Sequence, residues 1–217
     1  MKLLIGITLA VFALIATLAV RSGFRAEFVD TILGANAHIT VYSAGHLDGE
    51  GRPIKGFQDY DAVAGKIAEI AGVTRAAPLV KGQVMVTAGD GANGAEVFGI
   101  RLDDLKAIPR VGLGADAYGD INKFNDGIAI GSGIARELGV SVGDKLRLVA
   151  PSGVKTAFGS SPRVNAYTVE YIFTAGRYDI DRTRIYMPFT EAQSYFNREG
   201  GAAGETVVEK STFVLPR

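Results

Sequence analysis

The residues of this chain whose types could bind a metal or move a proton are two histidines, His38 and His46, and a scattered set of carboxylates. Zinc chemistry needs three or four ligands at short spacing. The chain has no cysteine, and neither histidine has a neighbour that completes such a set. His38 opens the β-branched run His38-Ile39-Thr40-Val41-Tyr42 and reads as structural. Asp179-Ile180-Asp181 has two carboxylates at the alternate spacing of a calcium loop, without that loop's glycine and distal glutamate. Ser132 lies in Gly131-Ser132-Gly133, which is not the Gly-x-Ser-x-Gly turn of a hydrolase, and a helix N-cap accounts for it. No Gly-x-x-x-x-Gly-Lys-Ser/Thr loop is present, so the chain is not expected to bind ATP by itself. The acids are spread along surface helices and turns, and nothing in their spacing points to a glycosidase pair. No catalytic residue, metal or cofactor is expected. The chemistry that remains is partition between water and lipid.

Residues 3–20 are eighteen positions without a charge, between Lys2 and Arg21. As a helix such a run spans roughly 27 Å, close to the thickness of a bilayer's hydrocarbon core. Two readings stand. A cleaved signal peptide would use Lys2 as its basic start and Thr17-Leu18-Ala19 as its cleavage site. A retained anchor fits the long run and the missing Ala-x-Ala better. Either one exports the rest of the chain. The flanking charges, Lys2 before and Arg21 and Arg25 after, mildly oppose that orientation and do not fix it. Beyond the run, Phe24, Phe28 and Ile32 recur at i, i+4 and i+8, one stripe of a helix, with Arg25, Glu27 and Asp30 off it. The spacing predicts a helix continuing to Leu33 and stopped by Gly34. The stripe either packs on the domain that follows or forms a rigid stalk above the membrane.

The 217 residues leave enough chain beyond the anchor for one sizeable domain or two small ones. Lys plus Arg and Asp plus Glu both number 23, and no basic stripe is present, so nucleic acid is not an expected partner. Without cysteine an exported domain has no disulfide framework and rests on its apolar core. Twenty-eight glycines predict many turns between short strands.

The elements follow from local pattern. Strands are predicted at 38–42, 73–78, 80–88 and 96–100, with a polar loop at 43–57 and a Gly-rich turn at 89–94. Tyr60, Val63, Ile67 and Ile70 define a helix over 59–71 that Gly72 ends. A short helix is expected at 102–108, and 110–125 has no clear period. A strand at 128–130 leads to Ser132 as N-cap, a helix stopped by Gly139, a tight loop at 140–144 and a strand at 145–149. Residues 151–162 read as a polar loop, 167–174 and 184–187 as strands, and Thr190 as the cap of a helix over 191–196. From Asn197 onward there is no strong period. The pattern is α+β, with strands outnumbering helices.

The segment Ile128-Ala-Ile-Gly-Ser-Gly-Ile-Ala-Arg-Glu-Leu-Gly-Val-Ser-Val-Gly-Asp-Lys-Leu-Arg-Leu-Val149 resembles the periplasmic core domain of the MacB/FtsX/LolC class of ABC-transporter permeases. Further stretches are similar to the lipoprotein-releasing branch, the LolC/LolE type. They are Ser22-Gly-Phe-Arg-Ala-Glu-Phe28 with Ile32-Leu-Gly-Ala-Asn-Ala-His-Ile39, then Ala77-Pro-Leu-Val-Lys-Gly-Gln83 and Val97-Phe-Gly-Ile100. Phe173-Thr-Ala-Gly-Arg-Tyr-Asp-Ile-Asp-Arg182 and Ile185-Tyr-Met-Pro-Phe-Thr-Glu-Ala-Gln193 complete the set.

The resemblance implies a fold, a transmembrane helix followed by a MacB-like periplasmic core domain of mixed short strands and helices. Residues 1–34 would be the helix with its periplasmic extension, 35–197 the core domain and 198–217 a tail. It implies a non-catalytic permease subunit in the inner membrane, with its N-terminus in the cytoplasm and its domain in the periplasm. Its partners would be a cytoplasmic ABC ATPase, a second permease subunit, lipoprotein cargo and a periplasmic lipoprotein carrier. Phe24, Phe28 and Ile32 would border the cavity that receives the acyl chains. The stretch 152–163 matches a protruding loop that grips the carrier in the LolC branch, with Lys155, Phe158, Pro162 and Arg163 as its contact residues; an ordinary hairpin is the alternative there. Permeases of this class continue into three more membrane helices and begin ahead of the first. The expectation is therefore that this chain is a fragment. A sibling permease of the MacB or FtsX type, working on a periplasmic adaptor or hydrolase activator, is the second reading. An exported enzyme is the third, with no constellation in its favour.

Overall fold

A computed structural model describes residues 2–33, 39–42, 46–47, 53–54, 59–112, 114, 116–156, 159–197 and 205–210. Helix α1 (Lys2–Leu33) is one unbroken helix through the apolar run and the Phe24/Phe28 stripe, as the periodicity predicts. Strands β1 (Ile39–Tyr42), β2 (His46–Leu47) and β3 (Pro53–Ile54) follow, β2 and β3 pairing with each other inside the stretch expected to be all loop. Helix α2 (Tyr60–Ala68) then leads to β4 (Val73–Ala88) and β5 (Gly91–Ile100). Helices α3 (Leu102–Lys106) and α4 (Pro109–Gly112), strand β6 (Tyr118–Gly119) and a 3-10 turn, Ile121–Asp126, fill the region without a clear period. Next come β7 (Ile128–Gly131), α5 (Ser132–Leu138), β8 (Lys145–Thr156) and β9 (Gly159–Phe173). Last are α6 (Tyr178–Thr183), β10 (Arg184–Pro188), α7 (Phe189–Tyr195) and β11 (Glu205–Lys210).

The strands close on themselves. β4 pairs with β5, β5 with β10, β10 with β7, β7 with β9, β9 with β8, and β8 returns to β4 through Met85, Val86 and Thr87. This is a six-stranded barrel, with β5–β10 and β7–β9 parallel and the other contacts antiparallel. Alternation sorts side chains to its two faces. On β7, Ile128 and Ile130 join one core while Ala129 joins another; on β10, Ile185 and Met187 oppose Tyr186 in the same way. The inner core also takes Val80, Val84, Val97, Leu146 and Leu148, completed by Ile134 of α5 and by Phe189, Ala192 and Tyr195 of α7. The second core lies on the outer wall, where Tyr171, Phe173 and Tyr186 meet Leu105, Val111, Phe124 and Ile180.

Tyr171 ties these layers together. Its hydroxyl donates to the buried Val111 carbonyl at 2.8 Å. Burial pushes the phenol above its ordinary range, so it stays a donor at neutral pH. Tyr171→Phe strands that carbonyl and is expected to lower unfolding stability by about 1–2 kcal/mol, read as a shift in urea midpoint at unchanged m-value. The 3-10 turn has its own cap: Asp120 Oδ1 accepts from the Asn122 amide at 2.9 Å. That hydrogen bond holds the Asp120 carboxyl below its usual range. A carboxylate with a lowered folded pKa contributes stability above its unfolded pKa and loses it as pH falls through the folded one. Asp120→Ala should therefore flatten the acid side of the stability–pH curve, measured by thermal unfolding from neutral to strongly acidic pH.

Several sequence expectations are corrected. Strand β4 is one strand where two are predicted, because Pro78 sits where it changes neighbour: residues 73–79 pair with β11 and residues 80–88 with β5. The β4–β5 turn is only Gly89-Asp90, and 91–94 continue the ladder. Ser132 is the first residue of α5 and makes no capping bond; Gly131 holds the cap position. Thr190 likewise lies inside α7, which starts straight after Pro188. Gly139 does end α5, in the left-handed conformation at φ 64°. The stretch after Asn197 contributes β11, which pairs with both β1 and β4.

Candidate functional site

Two regions of the molecule present surface that its own folding does not use. The first is α1. Residues Leu4–Arg25 form a helix long and apolar enough to cross a membrane, with none of its apolar window buried against the protein. Both threonine hydroxyls of this span are satisfied locally: Thr8 donates to the Leu4 carbonyl at 2.9 Å and Thr17 to the Ala13 carbonyl at 2.8 Å. That suits a medium without water. At the end of the span Phe24 and Phe28 stack with centroids 5.7 Å apart, 69% and 52% exposed. They lie on one face, as the spacing predicts; the side chain of Ile32 lies outside the described residues.

The second region is the β8–β9 hairpin, which replaces the polar loop expected at 151–162. The ladder runs regularly from Lys145↔Thr168 to Ala150↔Arg163, breaks, and resumes at Val154↔Ser161, Lys155↔Ser160 and Thr156↔Gly159. The break has a chemical cause. Pro151 and Pro162 stand there on the two strands, and neither can donate to a ladder. Pro162 is exposed. The backbone of Lys155 lies in the outer ladder, but its side chain and the whole of Phe158 lie outside the described residues.

Arg163 has a role that its place in the sequence does not announce. Its guanidinium donates to the carbonyls of Ser194 and Tyr195, the latter at 3.0 Å, and to Asn197 Oδ1 at 3.0 Å. The two carbonyls belong to the last turn of α7, where helical partners run out; that of Ser194 also accepts from the Asn197 amide at 3.2 Å. Tyr195 reaches back in the other direction, its buried hydroxyl donating to the Leu148 carbonyl of β8 at 2.9 Å. Burial pushes that phenol up to about 12. Beside it Tyr167 donates to Glu191 at 2.6 Å, and burial followed by this bond raises its pKa strongly. Nothing in the sequence pairs residue 163 with residues 194–197. An aromatic pair at a helix end, Tyr195-Phe196, is the only signal that this end is buried.

Below the break the outer wall is bare. Met85, Val149 and Val164 are direct cross-strand partners and so share one outward row, with Met85 47% and Val164 55% exposed. The next row carries Thr87, Arg147 and Ala166. This is an apolar strip with a cationic edge at the foot of the hairpin.

The acidic motif of the sequence is structural. Asp179 pairs with Arg177 at 2.7 Å, while Asp181 accepts from the Ala175 amide at 2.7 Å. Among the described residues no three His, Cys, Asp or Glu side chains gather as a metal site. His38 lies outside the described residues, as does the side chain of His46.

Relatives of this chain align with most of its length. It is 30% identical over 203 residues to the lipoprotein-releasing system transmembrane protein LolC of Xylella fastidiosa (strain Temecula1), covering 92% of this chain and 46% of that protein. The LolC protein of Neisseria meningitidis serogroup B is 27% identical over 208 residues, again 92% of this chain and 46% of the relative. The LolE protein of Haemophilus influenzae is 26% identical over 194 residues, 88% and 45% respectively. The chain thus spans somewhat less than half the length of these relatives. A family model described as the MacB-like periplasmic core domain matches residues 3–214. That match takes in the apolar helix, the barrel and strand β11 together, and the chain belongs to the MacB-like periplasmic core domain family.

Proposed function

We propose that this chain supplies the first membrane helix and the periplasmic domain of a permease subunit in a lipoprotein-releasing ABC transporter of the inner membrane. The observation that carries the reading is the alignment with LolC-type relatives over 92% of the chain. In this reading α1 crosses the membrane and the barrel stands in the periplasm. A cytoplasmic ATPase supplies the energy, and a second permease subunit completes the passage. Phe24, Phe28 and Ile32 face acyl chains leaving the bilayer, since stacked exposed aromatics at the end of the span shield apolar cargo from water. The β8–β9 hairpin, with Lys155 in its outer ladder, Pro162 at its break and Phe158 between its two strands in sequence, receives the periplasmic lipoprotein carrier. The strip of Met85, Val149 and Val164 extends that contact, and Arg147 favours an acidic rim on the partner.

The test is capture of the purified carrier of the Lol system by the full chain in detergent. Phe158→Ala and Val164→Glu should each weaken capture about tenfold or more, as loss of a central apolar anchor does. Equal capture by both variants and the wild type removes the hairpin from the contact. Absence of capture by a folded wild-type chain, together with capture of an efflux-type periplasmic adaptor, moves the chain to the MacB-type branch.

A further inference from the structure

We infer that Arg163 is a positioning residue: it clamps the root of the β8–β9 hairpin to the last turn of α7, so that the hairpin keeps one direction relative to the barrel. The inference rests on the proposed role of the hairpin and changes what Arg163 does in it, from a contact residue to a support.

The clamp sits at the break in the ladder. Between Ala150↔Arg163 and Val154↔Ser161 three residues of β8 lie opposite one of β9. The hairpin beyond this point is joined to the barrel by two strands with no regular hydrogen bonds between them. Irregular ladders of this kind bend and twist. Arg163 is the last residue of the regular ladder on β9, immediately inside the break. It shares its side of the ribbon with its cross-strand partner Ala150, which belongs to the inner core. Its side chain therefore leaves the ribbon on the side where α7 packs, away from the bare outer row of Met85, Val149 and Val164.

The connection is made from both directions. Arg163 of β9 donates to the carbonyls of Ser194 and Tyr195, and Tyr195 of α7 donates to Leu148 of β8. One helix end thus holds both strands at the base of the hairpin. Asn197, which Arg163 also holds, has φ 53°, the left-handed turn that ends α7. A guanidinium suits this task because its planar fork donates from two separate nitrogens to acceptors set apart, whereas a lysine ammonium donates from one atom.

The absence of cysteine from the chain makes a direct test practical. Arg163→Ala in the full chain should raise hydrogen exchange at the amides of residues 159–161 and 195–197 together, while residues 128–131 keep their protection. It should also weaken capture of the purified Lol carrier about tenfold, through lost preorganisation. The paired variant Arg163→Cys/Asn197→Cys should bind as weakly as Arg163→Ala when its thiols are blocked singly. A short bis-maleimide joining the two cysteines should restore binding, because the bridge replaces the clamp without replacing the charge. A bridged variant that stays weak overturns the inference and returns Arg163 to the contact surface. So does Arg163→Ala with unchanged exchange at residues 159–161. If Phe158→Ala captures the carrier as well as the wild type does, the hairpin reading itself fails; the exchange result then still reports whether the clamp exists.

Discussion

Gly131→Ala is expected to destabilise the domain by about 3 kcal/mol, near the upper end of what overpacking by one methyl does. A Cβ built at Gly131 lies 2.3 Å from the Asp181 carbonyl oxygen and 2.8 Å from its carbonyl carbon. These are backbone atoms of α6 and cannot swing aside like the end of a side chain. Moving α6 would draw Ile180 out of the outer core and pull the Asp181 carboxylate from the Ala175 amide. Gly133 stands under the same segment, with a Cβ site 2.7 Å from the Asp181 carbonyl oxygen, so the helix has no room to slide along α5 either. The matched control is Gly65→Ala in α2, where nothing lies within 4 Å of the added carbon. It should stabilise by up to about 1 kcal/mol, because alanine is the better helix former. Urea unfolding of the two variants decides the matter. Equal midpoints would mean that α6 does not rest on these glycines.

The second large effect concerns α1. The full chain should remain in the membrane fraction through an alkaline carbonate wash, and deletion of residues 3–20 should release it entirely. Leu14→Arg combined with Val11→Arg should act in the same direction, since each arginine near the centre of a span opposes insertion by about 2.5–3.5 kcal/mol. Mass spectrometry of the recovered wild-type chain separates the two readings of the segment. A mature N-terminus beyond Ala19 in a membrane-free product would show a signal peptide; an intact N-terminus in the washed membrane shows an anchor.

The parts of the fold that were legible in the sequence are those with a local cause. The apolar helix and its extension to Leu33 followed from composition and from the Phe24–Phe28 spacing. Gly139 ended α5 where a left-handed residue was needed, and the alternating residues of 145–149 formed the inner face of β8. What escaped depends on partners far away in the chain. Residues 152–156 and 159–162 looked like loop because their sequence is polar and broken by glycine and proline, yet as the two arms of one hairpin they pair with each other. Strand β11 has no periodic signal of its own and takes its place from β1 and β4 on either side. Gly131-Ser132-Gly133 was set aside as a nucleophile motif, and its actual use, a notch for the backbone of α6, could not be read without α6 in view. The same holds for Arg163: its type suggested a partner protein, and its partners turned out to be carbonyls thirty-odd residues along the same chain.

The order in which the barrel strands enter the ring constrains when the protein can exist as a folded object. Strand β10 lies between β5 and β7, although it comes after both and is separated from β5 by the four strands β6 to β9. Until residues 184–188 are available, β5 and β7 both have an open edge, and the inner core lacks Ile185 and Met187 as well as the α7 residues that follow. A chain emerging on the far side of a membrane therefore stays unclosed until almost the whole domain has been threaded through. Closure then joins segments of large sequence separation, which is a slow event by nature. The exposed β edges in that interval call for a holding factor or fast export, and any product that ends before residue 188 should be a substrate for proteolysis rather than a smaller domain.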